Sequence, residues 1–207
     1  MLQPKLPFLI SLIAYTIVVR LIPYVLTNYD VQINPGVIYY PWNFSPMTAL
    51  CLFAGAFLAD RRLSFVLPLA TLFIGDLGIW LLTGRVDMAF HQGSAVTYLS
   101  FALAIMLGMA LRGRTLRRPA VAALGLGLGF EVVYFVASNL VWMYGSHSLY
   151  PQTLAGLIQC YTMALPFFGK SLLGTTVFTL LLFSPLGVRA ATEEDELTGE
   201  LAHVRVK

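Results

Sequence analysis

The chain is 207 residues long, and 58% of its residues are hydrophobic whereas only 11% are charged. Soluble domains carry about 25% charged residues, so this composition excludes an ordinary water-soluble protein and indicates an integral membrane protein. The formal net charge of +3 comes from basic residues in short loops, and it therefore does not indicate a nucleic-acid partner.

Six apolar stretches follow one another along the chain, each bounded by charged or turn-forming residues. A bilayer core about 30 Å thick needs about 20 helical residues, and the second stretch is shorter than that. The sequence predicts an all-α integral membrane protein, a six-transmembrane-helix bundle in residues 1–188 followed by a cytoplasmic acidic tail in residues 189–207. The predicted spans are 7–28, 45–59, 65–83, 96–111, 119–142 and 157–185.

Local signals add detail to these spans. Ser45 is a good N-cap for the second helix, with Pro46 at its first helical position. In the fifth span, Gly125 and Gly129 are four residues apart, a spacing typical of closely packed membrane helices. Pro166 removes a backbone donor from the sixth span and is expected to bend or break that helix.

The basic residues predict the orientation in the membrane, because cytoplasmic loops carry an excess of Lys and Arg. One set of loops and ends is rich in them, whereas the other three loops contain only Arg85. Both termini are therefore predicted to be cytoplasmic. The basic set comprises Lys5, Arg61, Arg62, Arg112, Arg114, Arg117, Arg118 and Arg189.

Four ionisable side chains lie inside the apolar spans, where an Arg or Lys costs about 2.5 to 3.5 kcal/mol on insertion scales. They are Arg20, Asp76, Glu131 and Lys170. One interpretation is a set of buried ion pairs that locks the helices together. The other is a polar cavity that opens outward. Under both, at least two of the four are expected to pair.

Aromatic residues are concentrated in the outer half of the predicted bundle. An interfacial belt would explain any one of them, but the cytoplasmic side is poor in aromatic residues. We therefore expect a pocket with flat apolar walls and a few polar groups. The candidate substrate-binding residues are Arg20, Trp42, Asn43, Asp76, Glu131, Asn139, Trp142, Tyr161 and Lys170.

Six segments carry a resemblance to known proteins: RLIP (20–23), NFSPMTALCLFAGAF (43–57), GD (75–76), SNLVWM (138–143), YPQTLAGLIQCY (150–161) and ALPFFGKSLLG (164–174). Together they resemble an uncharacterised bacterial family of candidate transport proteins, which in turn is similar to the substrate-binding S components of energy-coupling factor transporters. The resemblance covers nearly all of the chain before the tail. It implies a six-helix fold in the bacterial cytoplasmic membrane, of the kind that binds vitamins or metals from outside, and the expected solute is vitamin-like or another small organic molecule.

The same resemblance implies a transporter energising module as a partner. The first span departs from the Ala-x-x-x-Ala pattern through which many S components dock that module. Lys170 is a second departure, because an amide is expected at this position. Otherwise the expected partners are the lipid bilayer and a small-molecule ligand.

 No Ser/His/Asp set, metalloprotease motif or haem-binding histidine pair is visible, and we expect no enzyme, no cofactor and no bound metal. Four possible soft ligands fall toward the outer side, but their spacing matches no known metal motif. They are Cys51, His91, His147 and Cys160. The sequence predicts a membrane transport protein that binds a small solute, and a structural or assembly membrane protein of the same fold is the alternative.

Overall fold

The computed structural model describes residues 3–4, 6–29, 43–112, 119–144 and 150–193. This part of the chain is all-α apart from two strands of two residues each. The helices are α1 (Leu6–Asn28), α2 (Met47–Phe57), α3 (Arg61–Thr83), α4 (Val86–Ala89), α5 (Ser94–Met109), α6 (Pro119–Tyr144), α7 (Leu154–Leu182) and α8 (Pro185–Ala191). The strands are β1 (Gln3–Pro4) and β2 (Thr192–Glu193).

Five segments of the described chain are long and apolar enough to cross a membrane. They are Phe8–Leu26, Arg61–Thr83, Val86–Met109, Pro119–Tyr144 and Leu154–Leu182. By helix length and hydropathy, the chain is therefore a multi-pass membrane protein. The helix α2 is apolar but has only 11 residues, as the short second stretch predicts.

Capping residues set the helix starts that differ from the predicted ones. The carboxylate of Asp60 accepts a hydrogen bond of 2.7 Å from the amide of Arg62, so α3 begins before the predicted apolar stretch. Thr153 likewise accepts a hydrogen bond of 3.2 Å from the amide of Gly156 and starts α7 early. The N-cap residue of α2 is Pro46 and not the predicted Ser45, but the hydroxyl of Ser45 accepts a hydrogen bond of 3.3 Å from the amide of Met47, the first residue of the helix.

The helix α7 runs through Pro166 as one helix, so of the predicted bend or break the break does not occur. A proline removes one backbone donor, and transmembrane helices tolerate that loss where neighbouring residues satisfy the freed carbonyl. The 29 residues of α7 therefore form one continuous helix beside α6.

The helix α2 lies at the centre of the bundle, and its residues from Met47 to Gly55 are all buried. The main chain of α2 contacts the main chain of α5 directly. A Cβ placed on Gly55 would lie 2.2 Å from the carbonyl oxygen of Ile105, and one placed on Gly108 would lie 2.2 Å from that of Leu52. Only glycine permits this approach.

The prediction that Gly125 and Gly129 form a close-packed face of α6 is wrong. A Cβ on Gly125 or Gly129 would meet no atom of the described residues within 4 Å, because both glycines face outward. The residue between them, Gly127, is the buried one, and a Cβ there would lie 2.9 Å from Cγ2 of Thr175. Close packing of α6 on α7 thus depends on Gly127.

Arg112, just beyond α5, forms hydrogen bonds at the C-terminal end of α2. Its guanidinium donates a hydrogen bond of 2.5 Å to the carbonyl of Gly55 and one of 2.8 Å to the hydroxyl of Ser64. Partial burial, together with the charge of Arg61, lowers the pKa of Arg112. The side chain satisfies a carbonyl that α2 leaves without a helical partner.

The two ends of the described chain meet. Strand β1 pairs antiparallel with β2, with Gln3 opposite Glu193 and Pro4 opposite Thr192. The start of α1 and the end of α8 therefore lie on the same face of the bundle.

Candidate functional site

Two adjoining cavities lie among the helices, and both are partly lined by Asn43, Glu131, Tyr134 and Ser171. The first, which we call the aromatic cavity, has a volume of 390 Å³ and lies along α6 and α7. The second, the polar cavity, has a volume of 270 Å³ and lies between α1, α2, α3, α5 and α6. The aromatic cavity is further lined by Phe135, Asn139, Trp142, Cys160, Phe167 and Phe168. The polar cavity is further lined by Thr16, Arg20, Tyr24, Thr48, His91 and Thr97.

Glu131 in α6 is the buried carboxylate at the junction of the two cavities, with only 3% of the residue exposed. Its Oε1 accepts hydrogen bonds of 2.7 Å from the hydroxyls of Thr48 and Thr175. Its Oε2 accepts one of 2.6 Å from the hydroxyl of Ser171. Within the described residues Glu131 takes part in no ion pair.

The local structure explains how these three hydroxyls reach one carboxylate. Ser171 and Thr175 are one helical turn apart on α7 and therefore project from the same face. Thr48 is in the first turn of α2, which begins between them and α6. Close contact at Gly127 brings α6 near enough to α7 for hydrogen bonding.

A second polar group joins α1, α3 and α5. Arg20 forms an ion pair with Oδ1 of Asp76, and the hydroxyl of Tyr98 donates a hydrogen bond of 2.8 Å to Oδ2 of the same carboxylate. The Asp76 side chain is 4% exposed and that of Arg20 is 38% exposed. The expectation that at least two of the intramembrane charges pair is confirmed by these two residues.

Ring contacts build the wall of the aromatic cavity. The rings of Phe135 and Phe168 stack with their centroids 4.4 Å apart, and the ring of Tyr161 meets that of Phe135 edge-on at 5.4 Å. Trp142, farther along α6, contacts the ring of His91 edge-on at 6.4 Å. The wall is thus built from both α6 and α7.

Two amides border this wall. Asn43 precedes α2 and has a positive φ of 63°, a conformation that Asn adopts more readily than most residues. The side-chain amide of Asn139 donates a hydrogen bond of 2.8 Å to the carbonyl of Phe135. Its Oδ1 lies 3.8 Å from Sγ of Cys160.

Most, but not all, of the predicted site residues line a cavity. Arg20, Asn43, Glu131, Asn139 and Trp142 do so. Trp42 lies outside the described residues, and three others line neither cavity: Asp76, Tyr161 and Lys170.

Geometry explains these three positions. Asp76 is covered by its partners Arg20 and Tyr98. The hydroxyl of Tyr161 donates a hydrogen bond of 2.8 Å to the carbonyl of Val136, so it is bound to the main chain of α6. Lys170 precedes Ser171 on α7, and adjacent helical residues point in different directions.

Sequence reasoning missed the hydroxyl donors to Glu131 and the two tyrosines Tyr98 and Tyr134. The four-residue spacing of Ser171 and Thr175 in an apolar helix was a usable signal, since it puts two hydroxyls on one face. Thr48 gave no such signal, because its contact with Glu131 joins distant parts of the chain.

The structure also bears on the possible metal ligands. Among the residues that the structure describes, no group of three or more His, Cys, Asp or Glu side chains converges as a metal site would require. Of the four soft ligands, Cys51 is buried in the core, Cys160 borders the aromatic cavity and His147 lies outside the described residues.

Comparison with known protein families identifies a match over most of the chain. The family model described as "Family of unknown function (DUF6580)" matches residues 1–194. No curated protein and no solved structure matches the chain.

Proposed function

The chain belongs to this family of unknown function, DUF6580, and we propose that it is a membrane transport protein that binds a small solute from the outer side. The observation that carries the proposal is the meeting of two cavities at the buried carboxylate of Glu131. An ionisable residue inside a membrane bundle is costly, and it is retained where it serves a binding or transport path. A cavity of 390 Å³ is within the usual size of small-molecule sites.

The fold proposed here is a six-helix, S-component-like bundle with both termini in the cytoplasm. The pairing of β1 with β2 supports it, because chain ends on one face require an even number of crossings. Five long helices give an odd number, and in this proposal the short helix α2 accounts for the sixth crossing. The basic loops put the shared face in the cytoplasm.

The cavities are then reached from the outside. Asn43 precedes α2, Trp142 lies near the end of α6 and Tyr150 precedes α7, so these lining residues are at helix ends opposite the chain termini. A solute would enter between these ends and descend toward Glu131. Binding of this kind needs no catalytic group, and a transporter energising module would supply the work of transport.

A structural or assembly role is the second candidate, and specific contacts favour it. Each buried carboxylate joins three helices: Asp76 joins α1, α3 and α5, whereas Glu131 joins α2, α6 and α7. In this role the polar groups orient helices, and the cavities hold only water or lipid tails.

Native mass spectrometry of the gently purified full chain tests the proposal. A retained small molecule of reproducible mass, absent from a matched preparation of another membrane protein, is the expected result. Its affinity should fall about tenfold or more in Asn139→Leu, which removes an amide from the cavity wall. A protein that carries only lipid and whose stability, but not ligand binding, responds to cavity substitutions would be a scaffold.

A further inference from the structure

We propose that the solute is a small organic monocation, a protonated amine or quaternary ammonium compound, with its charge beside Glu131 and its apolar body against the rings of the aromatic cavity. This inference rests on the proposed function and adds the chemical class of the solute. It draws on three features: the charge of the cavity lining, the open acceptor position on Glu131, and the rings around it.

The lining of the aromatic cavity holds one carboxyl group and no basic side chain. Among the described residues that line it, Glu131 is the one Asp or Glu, and Lys and Arg do not occur. The polar cavity adds Arg20, but this guanidinium is paired with Asp76 and the pair is neutral as a unit. Lys170 lines neither cavity. A solute in the aromatic cavity therefore meets the carboxyl group of Glu131 and no cationic side chain among the described residues, an arrangement that favours a cation over an anion.

The hydrogen bonds of Glu131 leave a position for such a solute. A carboxylate offers about four lone-pair sites. The hydroxyls of Thr48 and Thr175 occupy two on Oε1, and that of Ser171 occupies one on Oε2. The hydroxyls are neutral, so they hold the carboxyl group in place without placing a cation beside it. A remaining site on Oε2 can accept an N–H donor or face a quaternary ammonium group.

The rings select an organic cation over a bare metal ion. Tyr134, Phe135, Trp142 and Phe168 all line the aromatic cavity, and the faces of such rings attract ammonium groups. A hard metal ion would instead need six or more oxygen ligands. The cavity offers an apolar wall with one carboxylate at its inner end, which matches a molecule with a positive head and an apolar body.

The test titrates the purified full chain, in a non-ionic detergent, with three probes that share a phenyl ring. Benzyltrimethylammonium is a permanent cation, 2-phenylethanol is neutral and phenylacetate is an anion. Calorimetry should give at least tenfold tighter binding for the cation than for either of the others. Equal binding of the three, preference for the anion, or no binding by any of them would overturn the inference.

Three variants locate the effect. Glu131→Gln keeps the side-chain shape and should reduce cation affinity at least tenfold while changing that of 2-phenylethanol by less than threefold. Asp87→Asn removes an exposed carboxylate instead, and it should change neither affinity. Phe168→Leu leaves Glu131 unchanged and should reduce the affinity for the cation several-fold. This variant tests the inference even if Glu131→Gln does not fold. An unchanged cation affinity in both cavity variants would refute it.

The two proposals fail in different ways. A neutral or anionic solute retained in native mass spectrometry would leave the binding function standing and overturn the inference about charge. Lipid alone in that experiment, together with no binding of any probe, would overturn both.

Discussion

The contact between α2 and α5 makes Gly108→Ala a sharp test of the fold. A Cβ at this position would lie 2.2 Å from the carbonyl oxygen of Leu52, whereas a carbon normally approaches such an oxygen to about 3.3 Å. The two helices must therefore move apart by about 1 Å, because a main-chain oxygen cannot rotate away.

The magnitude follows from two opposing effects. Overpacking of a buried contact costs about 1–3 kcal/mol, and a main-chain obstacle puts Gly108→Ala at the upper end. Replacing a helical glycine with alanine stabilises by about 1 kcal/mol. The expected net loss in the free energy of unfolding is about 2 kcal/mol. The matched control is Gly129→Ala, which meets open space and should stabilise the protein by up to about 1 kcal/mol.

Unfolding by sodium dodecyl sulfate, followed by tryptophan fluorescence, measures both changes on the same scale. Gly108→Ala should unfold at a lower detergent fraction than the unaltered protein, and Gly129→Ala at an equal or higher one. The reasoning about close packing would be refuted if the two variants shifted the midpoint in the same direction by the same amount.

Three further predictions follow from the other contacts. A reporter that is active only in the cytoplasm should be silent when fused after Tyr150, and activity there would contradict the orientation. Thr175→Val should lower the free energy of unfolding by about 1–2 kcal/mol, because it removes a hydrogen-bond donor to the buried carboxylate of Glu131. The control Thr176→Val should lower it by less, because the Thr176 hydroxyl donates only to a carbonyl within α7. Equal losses would argue against a role for the carboxylate. Arg20→Met should lower the free energy of unfolding by about 1–3 kcal/mol, because it leaves Asp76 without its cation. In a double-mutant cycle with Asp76→Asn the two losses should not add, and strict additivity would exclude the ion pair.

The sequence predicted the long helices well, because spanning a bilayer imposes a length and an apolar composition that can be read locally. It also indicated that α2 is short. The capping residue Asp60 was a local signal that went unused, and α3 consequently began earlier than predicted. The break expected at Pro166 does not occur, because a single proline does not decide whether a long membrane helix breaks.

The site was harder to predict because its parts come from distant segments. Burial cost indicated that the intramembrane charges need partners, and this argument predicted a pair such as Arg20 with Asp76. The same argument did not reveal that Glu131 is held by hydroxyls, since neutral donors leave no charge pattern in a sequence. Likewise, the spacing of glycines in α6 indicated close packing but not that Gly127 is the residue that packs.

The burial of α2 has a consequence for how the chain is made. At 1.5 Å per residue its 11 residues extend about 16 Å, roughly half the thickness of a bilayer core. The helices that cover it, α5 and α7, come later in the chain, so α2 leaves the ribosome before its neighbours exist. Until α7 is inserted, Glu131 also lacks Ser171 and Thr175. A nascent chain stopped before α7 therefore contains an α2 that is covered only in part and a buried Glu131 whose one remaining hydroxyl donor is Thr48.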